Sequence, residues 1–244
     1  MNYRTALVTT GLIAASLVSG TAHAVLQGRN MDGNALTFEA YYDTDLNITW
    51  LGNANYAKTS GYDTDGAMTW AAANTWAANL SFYNPLTNQT YADWRLPTTT
   101  DTGALGAQCT YSGTDCGYNV DTASSEMAHL YFVTLGNQSY YTTTGAVSGA
   151  YAGGANPNST LDNVGPFTNF QSYVYWSGTE YAPNPSVAWG FDTGSGYQYY
   201  DSKANSFYAL AVSPGDVAAV PEAETYALML AGLGLIGWRA RRRG

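Results

Sequence analysis

Ala92-Asp93-Trp94-Arg95-Leu96-Pro97-Thr98 is the stretch from which the fold of this chain is best read. Pro97 fixes its own φ and turns the chain, and it biases Leu96 toward an extended conformation. Arg95 is one of only four cations between residues 25 and 220, and it sits between Trp94 and Leu96. A guanidinium in such company is expected to be partly buried and to bond a carboxylate or backbone carbonyls, with Asp93 or Glu126 as the acid. The reading of Arg95 is therefore structural: a tie between this turn and another element.

Outward toward the N-terminus, LTFEAYYDTDLNITWL (36–51) reads as two short strands around an Asp/Asn turn. DGAMTWAAANTWAANL (65–80) is the best helix, with Asp65 as its cap and Met68, Ala72, Trp76 and Leu80 on one face. Outward toward the C-terminus, residues 99–107 suggest a short helix. Ser124 then caps a second long helix, EMAHLYFVTLG, with Met127, Leu130, Tyr131 and Leu135 as its stripe and Gly136 as its stop. Residues 137–172 have no period and read as loop. Three short strands follow, Tyr173 to Ser177, Ala188 to Asp192 and Phe207 to Val212. Two main helices with a small, loop-rich antiparallel sheet make an α+β domain.

The two ends differ from this body. Arg4, the apolar run Ala6 to Val18 and the Ala22-His23-Ala24 site form a secretory signal peptide, so 1–24 is expected to leave after Ala24. At the other end, Val220-Pro221-Glu222-Ala223-Glu224 leads into TYALMLAGLGLIGW (225–238), which carries no charge, and then Arg239, Arg241, Arg242 and Arg243. Fourteen helical residues span about 21 Å, short of the roughly 30 Å hydrocarbon core. Arginine heads that snorkel on the cytoplasmic side still let such a segment hold in a membrane. The expected division is signal 1–24, domain 25–216 and sorting tail 217–244.

Between the ends, four basic residues (Arg29, Lys58, Arg95, Lys203) face sixteen acids, a net charge of −12. That balance argues against nucleic acid and anionic surfaces as partners. Six tryptophans (50, 70, 76, 94, 176, 189) and many tyrosines exclude disorder. Export places Cys109 and Cys116 in an oxidising compartment, where a disulfide closing a short loop is expected. No Lys, Arg or His lies near them to activate a thiolate, so a redox site is the weaker reading.

Candidate chemistry is sparse. Once the signal has left, His129 is the only histidine, and it is read as structural, so neither a triad nor a zinc site can be assembled around it. Asp43, Asp45 and Asn47 alternate as calcium ligands do, with an Asx turn as the competing reading. No cofactor is required by any motif. Sixteen acids leave open a glycosidase pair, but nothing singles one out. Tyr197, Tyr199 and Tyr200, and Tyr140-Tyr141, offer flat faces and hydroxyls for stacking on sugar rings.

Two resemblances complete the reading. The tail resembles a PEP-CTERM sorting signal, with Ala223 where the family has its second proline. That resemblance implies the Sec translocon, signal peptidase and an exosortase as partners. It implies transient anchoring in the inner membrane of a Gram-negative bacterium before release to the cell surface or extracellular matrix. The body (Asp43, the Ile48–Leu51 run, Met68-Thr69-Trp70, the Trp94–Thr98 block, Ser125-Glu126-Met127, Tyr175-Trp176-Ser177-Gly178, Trp189-Gly190-Phe191 and Pro214-Gly215-Asp216) resembles the Lcl C-terminal domain family. Ser213 stands where that family often has arginine. The resemblance implies a C-type-lectin-like fold and a non-enzymatic adhesion or binding module for polysaccharide, exopolysaccharide or another surface partner. A passive matrix component and a polysaccharide-acting enzyme remain as the alternatives.

Overall fold

The computed structural model describes residues 25–34, 36–102, 109–111, 115–149 and 160–217. The signal site Ala22 and Ala24, the tail residues Val220, Pro221, Glu222 and Arg239 to Arg243, and the apolar segment 225–238 lie outside them. So does most of the expected helix at 99–107.

The described chain is mostly β. Strands β1 (Leu26–Arg29), β2 (Ala40–Asp43), β3 (Ile48–Leu51) and β10 (Val212–Pro214) form one antiparallel sheet in the order β1-β2-β3-β10. Strands β6 (Gly117–Tyr118), β7 (Val174–Glu180), β8 (Val187–Asp192) and β9 (Tyr197–Ser202) form another, ordered β6-β9-β8-β7. A hairpin of β4 (Phe82–Asn84) and β5 (Gln89–Tyr91) stands apart. The helices are α1 (Tyr56–Thr59), α2 (Trp70–Ala78) and α3 (Glu126–His129), which widens into a π turn at Leu130–Thr134. Among the described residues no helix is long and apolar enough to cross a membrane.

Both expected helices form, but their bounds and caps are corrected. The first does not begin at Asp65. Asp63 Oδ1 accepts the N–H groups of Asp65 and Gly66, and Met68 pairs its backbone with Phe207, which holds 65–69 out of the helix. Gly66 lies at φ +86°, and a Cβ there would sit 1.8 Å from Asn55 Oδ1. The cap is Thr69, whose hydroxyl accepts the Ala72 N–H. The buried face of α2 is Ala73, Trp76 and Ala77, so Trp76 alone of the predicted stripe is buried within the helix. In α3 the cap is Ser125 rather than Ser124, its Oγ accepting the Ala128 N–H at 3.2 Å. Leu135 N–H then bonds Leu130 O across five residues. Gly136, at φ +70°, ends the element as its type predicts.

The turn at Pro97 is held from two sides. Arg95 exchanges both backbone bonds with Val212 at 2.8 Å, extending the β1-β2-β3-β10 sheet by one residue. Its guanidinium meets Glu126 in a two-toothed pair, Nη1 to Oε2 and Nη2 to Oε1, both 2.7 Å. Glu126 Oε2 also accepts the Thr98 N–H at 2.6 Å. Glu126, not Asp93, is the partner, and it sits in the first turn of α3, where the helix dipole favours an anion. Asp93 instead adopts φ +64°.

Residues 207–214 join the two large sheets. Tyr208 N–H bonds Val174 O and Tyr208 O accepts Trp176 N–H, while Ala211 O accepts Leu51 N–H. Only Val212–Pro214 forms a ladder, which corrects the expected strand from Phe207 to Val212. Trp50, Trp176, Tyr175 and Phe191, all fully buried, fill the space between, and Trp176 Nε1 donates to Met68 O at 2.8 Å. The Ser213 position, which lacks the family's arginine, is buried. The adjoining Asp216 is paired by Arg29, at 2.6 and 2.7 Å.

Candidate functional site

Strand β9 decides where the tyrosines go. Alternate side chains of a strand point to opposite faces. Tyr197 and Tyr199 share one face, their ring centroids 5.6 Å apart. Tyr200 takes the other, stacked on Tyr181 at 3.9 Å and edge-on to Trp189 at 5.5 Å. The three predicted tyrosines are thus divided, two on one side of the sheet and one on the other. Gln198, between them, is fully buried. Its Oε1 accepts from Ser125 Oγ at 2.6 Å and its Nε2 donates to Asp115 O at 2.8 Å.

Register brings further rings to the Tyr197 face. Tyr118 of β6 lies opposite Tyr197, centroids 4.5 Å apart. Tyr141 packs edge-on to Tyr118 at 5.1 Å and to Tyr140 at 4.5 Å, and Tyr111 adds a ring 4.9 Å from Tyr141. The Cys109–Cys116 disulfide, Cα atoms 4.5 Å apart, closes the loop that delivers Tyr111 and starts β6. Asn119 ties that loop inward, its Nδ2 donating to Tyr111 O and Tyr141 O.

Beside these rings opens a cleft of about 440 Å³, bordered by Tyr118, Tyr140, Tyr173, Asp192, Ser172 and Ser195. Its floor is fixed. Asp192 Oδ1 accepts the Gly194 N–H at 2.8 Å and its Oδ2 accepts the Ser195 hydroxyl at 2.5 Å. Buried Thr193 accepts the Tyr173 N–H and places its hydroxyl 2.7 Å from Gln171 O. Tyr140 N–H bonds Ser195 O at 2.7 Å.

Burial, with Tyr197, Tyr141, Asp192 and Tyr140 nearby, pushes the Tyr118 hydroxyl up to about 12. Tyr197 and Tyr199 are also raised, chiefly by burial. These phenols therefore stay neutral at ordinary pH. They can stack and exchange neutral hydrogen bonds, and they are poor bases or nucleophiles.

The other predicted groups are engaged elsewhere. Asp43 is fully buried, with Oδ1 accepting the Asp45 and Leu46 N–H groups and Oδ2 accepting the Thr134 hydroxyl. Asn47 Oδ1 accepts from Tyr42 OH, and Asp45 lies 3.9 Å from His129. Tyr118, Tyr173 and Asp192 were not singled out from sequence. Tyr173 and Asp192 stand at the ends of expected strands and Tyr118 carries no such signal, so pairing register was needed to group them.

Comparison with known proteins agrees with both resemblances. The Lcl C-terminal domain family matches residues 39–213, well over half the chain. The PEP-CTERM protein-sorting motif matches residues 219–243. Neither a curated protein nor a solved structure matches. The sorting motif supports an exported protein, transiently anchored in the membrane and handled by an exosortase. The chain belongs to the Lcl C-terminal domain family and carries a PEP-CTERM sorting motif behind that domain.

Proposed function

We propose that the protein is a non-enzymatic binding module, released to the cell surface or extracellular matrix of a Gram-negative bacterium, whose tyrosine cleft holds a neutral polysaccharide. Sec and signal peptidase handle its export in this reading. The observation that carries it is the set of tyrosine rings around a cleft with a fixed polar floor. Rings present apolar faces to the C–H surface of a sugar, while Asp192, Ser195 and the phenols offer hydrogen-bond partners at its edge. The lectin-like description of the domain belongs to this proposal, supported by a site built at the loop-rich end of a small antiparallel sheet.

Binding is favoured over catalysis because, among the described residues, Asp192 is the only carboxylate bordering the cleft, and both its oxygens already accept hydrogen bonds. Glycoside hydrolysis by the usual route needs two carboxyl groups flanking one bond. Calcium is not required in this proposal, since the Asp43 and Asn47 oxygens are occupied by protein donors. Retention of the full-length chain on immobilised neutral polysaccharides tests the reading. Retention that is unchanged by a chelator and exceeds that on sulfated matrices is expected. No retention on any matrix would leave a passive matrix component as the better account, and loss on chelation would restore calcium to the site.

A further inference from the structure

Residues 166–173 run past three clefts in succession. Pro166 and Thr168 border one of about 340 Å³ with Phe38, Tyr56 and Phe82 on its walls. Asn169 and Gln171 border a second of about 380 Å³, shared with Asn55, Lys58 and Asp65. Ser172 and Tyr173 border the tyrosine cleft. We propose that the three are successive subsites of one groove, and that the protein grips an internal run of several sugar units in a neutral polysaccharide rather than a chain end. The inference rests on the polysaccharide reading of the tyrosine cleft and extends it.

The segment is built as a fixed rail. Phe167 and Phe170 turn inward, Phe167 edge-on to Tyr41 at 5.7 Å and Phe170 edge-on to Tyr175 at 5.3 Å. Pro166, Thr168, Asn169, Ser172 and Tyr173 between and beyond them are exposed. Thr168 exchanges backbone bonds with Gly52 and Ala54, at 2.9 Å each.

Neighbouring clefts share hydrogen-bonded walls. Asn53, on the wall of the first, donates to Thr59 Oγ1 at 2.9 Å and accepts from Asn169 Nδ2 at 3.2 Å, both on the second. Gln171 of the second and Tyr173 of the third are joined through Thr193. Tyr208, on the second, lies 6.1 Å from the Tyr173 ring.

The chemistry of the walls names the ligand class. The first cleft carries the rings of Phe38, Tyr41, Tyr56 and Phe82, whose faces suit stacking on sugars, and two carboxylates, Asp32 and Glu39, which accept the Asn34 N–H and the Met31 N–H and Thr37 hydroxyl and would repel an anionic chain. The second is lined by the amides of Asn55, Asn169 and Gln171. Arg29, Arg95 and Lys203 pair with Asp216, Glu126 and Glu180, whereas Lys58 is exposed and has no ion pair among the described residues. Lys58 and Asp65 together leave the middle cleft with no net charge. A protein of net charge −12 between residues 25 and 220 repels a polyanion, so a neutral chain fits all three clefts.

The test is calorimetric titration of the full-length chain in detergent with glucan, mannan and galactan oligosaccharides from disaccharide to octasaccharide, and with a polyuronate ladder. Affinity for at least one neutral series is expected to climb about tenfold or more from disaccharide to hexasaccharide. Phe38→Ala and Lys58→Ala, both at exposed positions, are expected to weaken the hexasaccharide about three- to tenfold and leave the disaccharide unchanged. Tyr173→Ala should weaken both, and unchanged thermal unfolding confirms that each variant is folded. Affinity independent of length, or Phe38→Ala and Lys58→Ala without effect on the hexasaccharide, overturns the groove and leaves a single cleft. Tighter binding of the polyuronate overturns the neutral ligand. If no oligosaccharide binds, the polysaccharide reading fails and the groove with it.

Discussion

Glu126→Gln removes the anion that holds the Pro97 turn. In the native protein one carboxylate accepts two bonds from Arg95 at 2.7 Å and a third from the Thr98 N–H at 2.6 Å. The glutamine keeps the shape and can still accept at one oxygen, but it presents an amide N–H₂ to a guanidinium. Hydrogen bonds to charged groups contribute about 1.5–3 kcal/mol, and breaking a buried pair costs about 3–5 kcal/mol. The Glu126 side chain is 16 % exposed and that of Arg95 35 % exposed, so water can recover part of the arginine's solvation. A loss of about 2.5 kcal/mol follows, the surface limit of 0–1 kcal/mol being too small for this geometry. In a domain of this size each kcal/mol moves Tm by about 2–4 °C, which puts the fall at roughly 5–10 °C. Arg95→Lys, which retains charge but loses the fork, should fall by less than half as much. Thermal unfolding followed by circular dichroism measures both. A Glu126→Gln chain melting within a degree of the parent would refute the view that this pair holds the turn.

Other consequences follow from the same contacts. Tyr118, Tyr131, Tyr175 and Tyr199 are all raised by burial, Tyr118 to about 12. The unfolded chain releases these protons near pH 10 and the folded one does not, so stability is whole below pH 10 and falls as pH climbs toward 12. Denaturant melts at stepped alkaline pH should show that decline, and a flat profile contradicts it. Gly66→Ala forces a Cβ to within 1.8 Å of Asn55 Oδ1 at a left-handed φ and should cost about 2–3 kcal/mol, read as a lower urea midpoint. Cys116→Ser should lose about 2 kcal/mol and weaken polysaccharide binding, because the closed loop carries Tyr111 and leads straight into β6, which carries Tyr118; unchanged binding would show that the disulfide does not position the rings.

Local rules in the sequence carried much of this architecture. The Asp43–Asn47 turn between β2 and β3, the stop at Gly136 and the structural role of Arg95 all follow from residue type and near neighbours. Helix lengths did not. Met68 looks helical by its spacing from Ala72 and Trp76, yet it spends its backbone on Phe207, a partner far along the chain. The Phe207 to Val212 run looks like one strand but divides its bonds between two sheets, a choice made by tertiary contacts. The site was half legible. Of the tyrosines offered from sequence, Tyr140 borders the cleft while Tyr197 and Tyr199 lie beside it, and Tyr118, Tyr173 and Asp192 reach it only through strand register and the Thr193 hairpin. Tyr200 shows the limit of composition, since strand alternation sends it to the opposite face and onto Tyr181.

The central claim is that the tyrosine cleft holds a neutral polysaccharide. Calorimetric titration of the parent chain, Tyr173→Ala and Tyr62→Ala with a retained neutral polysaccharide tests it most directly. Tyr173 and Tyr62 are equally exposed, at 52 %, and only Tyr173 borders the cleft. The account predicts roughly tenfold weaker binding for Tyr173→Ala and parent-like binding for Tyr62→Ala. Equal affinities in all three chains would contradict it.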